Sequence, residues 1–246
     1  MEVSKVKGII INERPYSETS KLLNVFTKEY GIVGVIAKGA KRLKSPLRSV
    51  TSKLTYGYFQ FNYRKEKLSN LVCVDVINPF NEIKKDLFKI SYASYLLELT
   101  SQVMKQTSEK EIFDYLENSL LKIEEGFDPV IITNILELKY LDYLGIKPEL
   151  NSCSVCGSTK VLTVSTNKGG FVCNNCHTNE KIIDKKTIKI LRMLYLVDIS
   201  KISKISLNNN TKEEIDNFIN EYYDKYAGLY LKSKKFLKSI KNVYIN

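Results

Sequence analysis

The sequence predicts an α+β protein in which a small N-terminal β-barrel precedes an α-helical body with an embedded four-cysteine zinc ribbon. Three observations predict this architecture. The first eighty residues are rich in β-branched and aromatic side chains and show no helical period. From residue 81 onward, apolar residues recur at the three- and four-residue spacing of amphipathic helices. Two C-x2-C pairs, at residues 153–156 and 173–176, interrupt this helical part.

Five strands are expected in the N-terminal part, in runs where β-branched and aromatic residues dominate. They are Lys7–Glu13, Lys21–Thr27, Ile32–Lys38, Lys53–Tyr63 and Leu71–Ile77. Five strands within about 70 residues fit a small barrel such as an OB-fold, with an SH3-like barrel as the alternative. Pro79 ends the strand pattern, so we place a nucleic-acid-binding OB-fold domain at residues 1–79.

Helices account for most of the remaining chain, which we treat as one helical domain at residues 80–246 with the zinc ribbon inserted at about 150–180. The expected helices are Asn81–Met104, Ser108–Glu125, Asp128–Leu144, Asp184–Val197 and Thr211–Lys241. Three of them begin with capping signals. These signals are Ser108 with Glu111, Asp128 with Pro129, and Thr211 with Glu214.

Four of the five cysteines have the spacing of a zinc site. They are Cys153, Cys156, Cys173 and Cys176. Each C-x2-C turn directs two sulfurs at one point, and tetrahedral Zn²⁺ needs four sulfurs at about 2.3 Å. We therefore predict one structural Zn²⁺ with no open coordination position, held beside a hairpin that turns at Gly169. His177, which follows Cys176 directly, is either a substitute ligand or a neighbour of the site. The fifth cysteine, Cys73, lies in an apolar alternation and is expected to be a small buried thiol of a strand.

The overall composition is ordinary: 43% of the 246 residues are hydrophobic and 26% are charged, which argues against disordered, collagen-like and coiled-coil chains. No apolar run approaches the roughly 18 residues of a membrane helix. The first eight residues lack the apolar core of a signal peptide. We therefore expect a cytoplasmic, nucleoid-associated protein without a membrane partner.

The net charge of +11 is unevenly distributed along the chain. Residues 1–80 hold 14 basic and 6 acidic side chains, and residues 151–246 hold 16 and 8. Residues 81–150 hold 8 basic and 13 acidic side chains. Two basic ends around an acidic middle indicate a surface for a polyanion such as nucleic acid. The alternative is a solvated, lysine-rich surface.

The densest basic segment is Ala37–Arg48, which leads from the third predicted strand toward the fourth. Over the longer interval between Glu29 and Glu66, eight Lys and Arg and no acidic residue occur. A glycine-hinged loop of this kind can lay cations along a phosphate backbone and release counterions, although it is also compatible with a solvated face. The candidate DNA-binding residues are Lys38, Lys41, Arg42, Lys44 and Arg48. The fourth strand adds aromatic candidates for base stacking, of which one face belongs in the core. These are Tyr56, Tyr58, Phe59, Phe61 and Tyr63.

No catalytic site is predicted, so we do not expect an enzyme. The stretch Gly34–Lys41 is close to a nucleotide-binding P-loop, but Ala40 displaces the lysine and Arg42 replaces the hydroxyl that Mg²⁺ requires. A single histidine leaves little room for general acid–base chemistry.

The lysines of the last helix, Lys232 to Lys241, either satisfy the negative end of the helix dipole or extend the polyanion surface.

Taken together, these residues resemble the RecO family of bacterial DNA repair and recombination mediators over nearly the whole chain. The resemblance is carried by Lys7-Gly-Ile-Ile, Tyr16–Leu23, Ala37–Arg42, Glu137–Pro148, the two cysteine pairs, and Lys232 to Leu237. It implies an OB-fold, a helical body and a zinc module. It also implies binding and annealing of single-stranded DNA, cooperation with RecR, and loading of RecA onto DNA coated by single-strand-binding protein. The basic OB positions of the family map onto Lys38, Lys41 and Arg42.

The expected partners are therefore single- and double-stranded DNA, RecR and single-strand-binding protein, with RecA reached indirectly. Two other classes of function stay open from the residues alone. One is an RNA-binding OB and zinc-ribbon factor of translation or transcription, which would prefer RNA in direct competition. The other is a zinc-supported nucleic-acid enzyme, which would show metal-dependent turnover of a strand or nucleotide.

Overall fold

The structure is a computed structural model that describes residues 3–244, except for the side chains of residues 3, 238 and 241–244. Two lysines of the predicted C-terminal cluster, Lys238 and Lys241, therefore have side chains outside the described part. The chain forms two compact units, Met1–Glu125 with Leu231–Asn246, and Gly126–Tyr230. The division into domains at residues 1–79 and 80–246 stays a prediction.

Five strands close into a barrel in the first unit. They are β1 (Val3–Pro15), β2 (Lys21–Thr27), β3 (Gly31–Ala37), β4 (Tyr56–Asn62) and β5 (Ser69–Asn78). Their order around the barrel is β1-β2-β3-β5-β4, with β1 antiparallel to both β2 and β4, and β3 parallel to β5. This OB-like barrel confirms the predicted fold class. Alternate side chains such as Ile10, Val35 and Phe59 fill its core. The fourth strand begins three residues later than predicted, after buried Leu54, whose φ is +65°.

Eight α-helices and one further hairpin complete the described part of the chain. The helices are α1 (Leu47–Val50), α2 (Asn81–Lys85), α3 (Leu87–Val103), α4 (Glu111–Glu124), α5 (Pro129–Tyr143), α6 (Lys185–Leu196), α7 (Asn209–Tyr222) and α8 (Lys232–Tyr244). The hairpin consists of β6 (Val161–Ser165) and β7 (Gly170–Cys173). None of these helices combines the length and the apolar character that a membrane span requires.

The helices between residues 81 and 143 agree with the prediction only in part. The helix expected over Asn81–Met104 is divided at Asp86, whose backbone is extended and whose carboxylate accepts hydrogen bonds from the first N–H groups of α3. Helix α4 begins at Glu111 without a side-chain cap, so the signal at Ser108 was wrong. Asp128 does cap α5, because its Oδ1 accepts from the Val130 N–H at 2.9 Å.

The long helix predicted over Thr211–Lys241 does not form. Helix α7 passes into a π-helical turn at Tyr223–Ala227, which ends at Gly228 with φ of +60°. Glycine adopts this left-handed conformation without steric cost, and it commonly terminates helices. The capping box at Thr211 and Glu214 was also wrong. Instead, Asn208 Oδ1 accepts from the Thr211 N–H at 2.8 Å, and Glu214 accepts from the Thr187 hydroxyl at 2.6 Å.

Glu117 of α4 joins this helix to the outer wall of the barrel. Its Oε1 lies 2.5 Å from Lys7 Nζ of β1 and also accepts a hydrogen bond from the hydroxyl of Tyr56 in β4. Tyr56 stacks against Phe80, with ring centroids 5.9 Å apart. Burial, followed by the bond to Glu117, raises the pKa of Tyr56 to about 12, so the hydroxyl stays protonated as a donor. Tyr56 is therefore a packing residue and is unavailable for base stacking.

Candidate functional site

A groove of about 1230 Å³ crosses one side of the barrel, entirely within the first unit. Its walls are the β1–β2 loop, the strand β3 and the β4–β5 loop, and Gly34 forms part of the floor. In OB-type barrels this region of strands and loops is the surface that binds oligonucleotides. Added bulk at Gly34 would project toward the groove wall, because a Cβ atom there would lie 2.8 Å from Leu68 Cδ2.

Aromatic side chains line the groove at both sides. Tyr30, from the β2–β3 turn, stacks on Tyr63 with ring centroids 4.1 Å apart and an interplanar angle of 14°. The Tyr30 side chain is nevertheless 41% exposed. Tyr16 lines the groove from the β1–β2 loop and is also exposed. Exposed aromatic faces in a groove can each stack on an unpaired base, whatever its sequence.

Four cations and one acidic side chain surround the groove. The cations are Lys38, Arg42, Arg64 and Lys67, and the acidic residue is Glu66. All four cations are exposed, and Lys38, Arg42 and Lys67 form no ion pair within the part of the chain that the structure describes. An excess of exposed cations over acidic side chains around aromatic faces favours the phosphate backbone of a single strand as the ligand.

The five predicted DNA-binding residues divide between the groove and its rim. Lys38 and Arg42 line the groove. Lys41 lies at its edge, where Nζ donates to the carbonyl oxygen of Ser17, a lining residue, at 3.4 Å. Lys44 and Arg48 are exposed further along the same turn and do not line the groove. The roles of all five residues in binding DNA stay predictions.

The basic segment is an ordered series of turns. The Lys41 N–H donates to the Thr19 carbonyl at 2.8 Å, which ties the segment to the β1–β2 loop. The Arg42 N–H donates to the Gly39 carbonyl at 3.0 Å, and the Ser45 N–H donates to the Arg42 carbonyl at 3.1 Å. We name residues 38–48 the basic turn. The backbone that carries its cations is ordered before any ligand binds, which lowers the backbone entropy cost of binding.

The aromatic residues of β4 have three different environments. Phe59 and Phe61 belong to the barrel core, as expected for one face of the strand. Tyr56 packs against the helices, whereas Tyr58 is 42% exposed on the outside of the barrel, with Lys5 Nζ 5.4 Å from its ring centroid. Only Tyr63, just beyond the strand, reaches the groove.

Several groove residues escaped sequence reasoning, namely Tyr16, Tyr30, Arg64 and Lys67. Each lies in a connection between strands, where periodicity gives no information. A local signal did exist in the run Arg64-Lys-Glu-Lys67, which places three cations in one connection between strands. The tyrosines in the turns carried no comparable signal, because only the closed barrel brings these connections to one groove.

The four cysteines lie together in the second unit. Their sulfur atoms all lie within 4.8 Å of one another, and they could hold a metal ion. The Cys156 and Cys173 sulfurs are 3.6 Å apart, much longer than the roughly 2.05 Å of a disulfide. Four sulfurs bound at about 2.3 Å around tetrahedral Zn²⁺ would be about 3.8 Å apart. The cluster therefore fits a four-thiolate metal site.

Two backbone turns and one hairpin position these sulfurs. In the first pair, the Gly157 N–H donates to the Cys153 carbonyl at 2.8 Å, and in the second the His177 N–H donates to the Cys173 carbonyl at 2.9 Å. Strands β6 and β7 pair antiparallel between them, as predicted. His177 is a neighbour of the cluster rather than part of it, since its Nε2 donates to the Glu180 carbonyl at 2.9 Å.

The clustered thiols differ in pKa. Burial acts to raise the pKa of Cys153, but hydrogen bonds from backbone N–H groups outweigh it and lower that pKa to about 6. Hydrogen bonds with the Cys156 and Cys173 sulfurs raise the pKa of Cys176 to about 12. Thiols this close cannot all ionise without a counter-charge, and a divalent metal ion supplies one by displacing their protons.

The near P-loop stretch does not have the geometry of a nucleotide site. Gly34–Ala37 belongs to β3, and the residues after Lys41 form turns until α1 begins at Leu47. A P-loop instead places its lysine and hydroxyl at the start of a helix, whose N–H groups hold the phosphates.

Two family models match the chain: Recombination protein O N terminal over residues 1–80, and Recombination protein O C terminal over residues 84–235. Relatives named DNA repair protein RecO are similar over nearly their full lengths. The Halalkalibacterium halodurans protein is 37% identical over 244 residues, 97% of this chain and 96% of that protein. The Listeria monocytogenes serotype 4b protein is 35% identical over 243 residues, 97% of this chain and 95% of that protein. The Bacillus subtilis strain 168 protein is 35% identical over 249 residues, 98% of this chain and 96% of that protein.

Proposed function

The chain belongs to the RecO family of DNA repair proteins, and we propose that it is a non-catalytic mediator that binds and anneals single-stranded DNA. The groove carries this proposal, because it combines an exposed tyrosine stack with four exposed cations on an OB-like barrel. Cations at the groove hold the phosphates, and the outer face of Tyr30 stacks on a base. Neutralised strands repel each other less, so complementary strands can approach and pair.

We further propose that the protein acts with RecR to load RecA onto DNA coated by single-strand-binding protein. The family membership supports these partners, and the bound state would place the protein at the nucleoid in the cytoplasm. Double-stranded DNA is the product of annealing and a second ligand of the cationic surface.

We propose that the cysteine cluster holds one structural Zn²⁺, which would crosslink the two ends of the β6–β7 hairpin. Its ligands would be Cys153, Cys156, Cys173 and Cys176.

The decisive experiment is annealing of two complementary oligonucleotides, with and without single-strand-binding protein and in the absence of nucleotide. We expect the protein to accelerate pairing under both conditions, since electrostatic attraction and stacking require no ATP. A competition with RNA of the same sequence separates this function from an RNA-binding factor. Tighter binding of the RNA, or no acceleration of annealing, would contradict the proposal.

Replacement of Tyr30 by alanine tests the groove directly. One base-stacking contact contributes roughly 1–3 kcal/mol, so Tyr30→Ala should weaken binding of single-stranded DNA about tenfold. Tyr30→Phe should bind normally, because it keeps the ring. Tyr58→Ala is the matched control, since Tyr58 has the same exposure as Tyr30 but lies outside the groove. Equal losses in the Tyr30→Ala and Tyr58→Ala proteins, measured by fluorescence anisotropy, would argue against binding in the groove.

No nucleotide hydrolysis is expected from this protein. Neither a lysine nor a hydroxyl lies at the start of a helix to place a γ-phosphate and Mg²⁺ together in the Gly34–Lys41 region. Four thiolate ligands would also leave the zinc ion no open position for water. Phosphate release from ATP should therefore equal that of a buffer blank, with or without single-stranded DNA. An ATPase that disappears in Lys41→Ala protein would refute this expectation.

A further inference from the structure

Leu43 projects from the basic turn into solvent. Its side chain is 83% exposed, more than any other large apolar side chain of the described residues. Single exposed leucines are common on protein surfaces and need no explanation by themselves. This leucine differs in its immediate surroundings, because Lys41, Arg42 and Lys44 flank it and all three are exposed.

The exposure of Leu43 is imposed by the turn that carries it. Ala40 is fully buried in the barrel core, and Leu47 packs against the same core from the other end of the turn. Between these anchors, the Ser45 N–H donates to the Arg42 carbonyl at 3.1 Å. The turn is therefore pinned at both ends and closed by a hydrogen bond across Leu43. This arrangement keeps the side chain away from the barrel.

Leu43 also lies beside the path that a bound strand would follow. Arg42 lines the groove, and Leu43 is the next residue outward along the turn. A single strand that leaves the groove past Arg42 thus arrives at an apolar side chain among three cations. The end of a DNA duplex has the matching chemistry, because its terminal base pair presents an apolar face and its phosphates lie around the edge. Minor-groove proteins insert apolar side chains between base steps, which shows that an aliphatic side chain can pack on the face of a base pair.

We propose that Leu43 packs on the terminal base pair at a junction between single-stranded and double-stranded DNA. The proposal rests on the proposed function, and it names the DNA structure that the groove and basic turn hold together. A strand in the groove continues into the duplex at Leu43. Lys41 and Lys44, which contact the single strand when no duplex is present, contact the duplex phosphates at the junction. The same contact would stabilise the first base pairs formed during annealing. A protein partner with an apolar pocket is disfavoured here, because the flanking cations would lose hydration without a counter-charge.

Binding to three fluorescent DNA probes tests this proposal at constant salt. The probes are a single strand of about 16 nucleotides, the upper end of one OB-fold footprint, a hairpin that carries this strand as a tail, and the blunt hairpin alone. The unmodified protein should bind the tailed hairpin about tenfold more tightly than the single strand, the low end of what burial of one leucine side chain contributes. Leu43→Ala should lose this preference but keep its affinity for the single strand. Fluorescence of 2-aminopurine in the terminal base pair should change on binding only when Leu43 is present.

Two variants make this result specific. Leu43→Met should keep the preference, because methionine is apolar and similar in volume. Leu196→Ala on α6 removes another exposed leucine and should change nothing. If the unmodified protein binds the single strand but does not prefer the junction, the role of Leu43 is overturned while the proposed function stands. Equal losses on all probes in the Leu43→Ala protein would overturn it as well. Failure of the unmodified protein to bind the single strand would overturn both this inference and the proposed function.

Discussion

Replacing Lys41 and Arg42 together by alanine should make the binding of single-stranded DNA less sensitive to salt. The slope of log affinity against log salt concentration, roughly −4 for the unmodified protein, should become less steep by about 1.4. The initial slope assumes six phosphate contacts, five from the basic turn and one from elsewhere, at about 0.7 per contact. Such a slope corresponds to an affinity loss of about 300-fold between 50 and 200 mM salt. The effect should be similar on every sequence, because phosphate contacts carry no base information.

The control for this prediction is Lys185→Ala with Lys186→Ala. These lysines are exposed in the first turn of α6, so the variant has the same change in net charge at a different place. We expect its salt slope to match that of the unmodified protein, and both variants to keep the original melting temperature, because exposed cations contribute little to stability. Salt titrations followed by anisotropy give the slopes. A Lys41 and Arg42 variant with an unchanged slope would show that the basic turn is only a solvated face.

Loss of one cysteine of the cluster should release the metal and loosen the second unit locally. Structural Zn²⁺ sites are worth roughly 10–16 kcal/mol in small peptides, and removal of one of the four thiolates weakens the site. Cys156→Ser should therefore reduce zinc well below one ion per chain and increase amide hydrogen exchange in residues 150–180. The barrel should keep its protection, because the crosslink closes only the segment between Cys153 and Cys176.

Cys73→Ser is the matched control for this experiment. Cys73 is a half-buried thiol of β5 outside the cluster, so its loss should leave the zinc content at one ion per chain. Elemental analysis and hydrogen exchange measured by mass spectrometry report the two effects separately. Less than one zinc ion per chain in the unmodified protein, together with a disulfide between Cys153 and Cys173, would contradict the prediction.

Local chemistry made several features of this protein predictable. The alternation of β4 placed Phe59 and Phe61 in the core, and the pairing of Asp128 with Pro129 located the start of α5. The spacing of the cysteines indicated the cluster, because each C-x2-C turn brings two sulfurs together and the β6–β7 hairpin then joins the two pairs. In each case a local pattern identifies the residues: period-two alternation gives the buried face of a strand, a cap gives the start of a helix, and each C-x2-C turn brings two sulfurs together.

The amino-acid sequence by itself thus determined the barrel strands, the cysteine cluster and the cationic character of the basic turn. Only the tertiary structure decided that Tyr30 and Tyr63 stack in one groove, that Tyr56 is buried against Glu117, and that α7 and α8 are separate helices. The physical reason is sequence separation. Tyr30 meets a tyrosine 33 positions away and Tyr56 meets a carboxylate 61 positions away, and such contacts depend on barrel closure and helix packing rather than on local propensity.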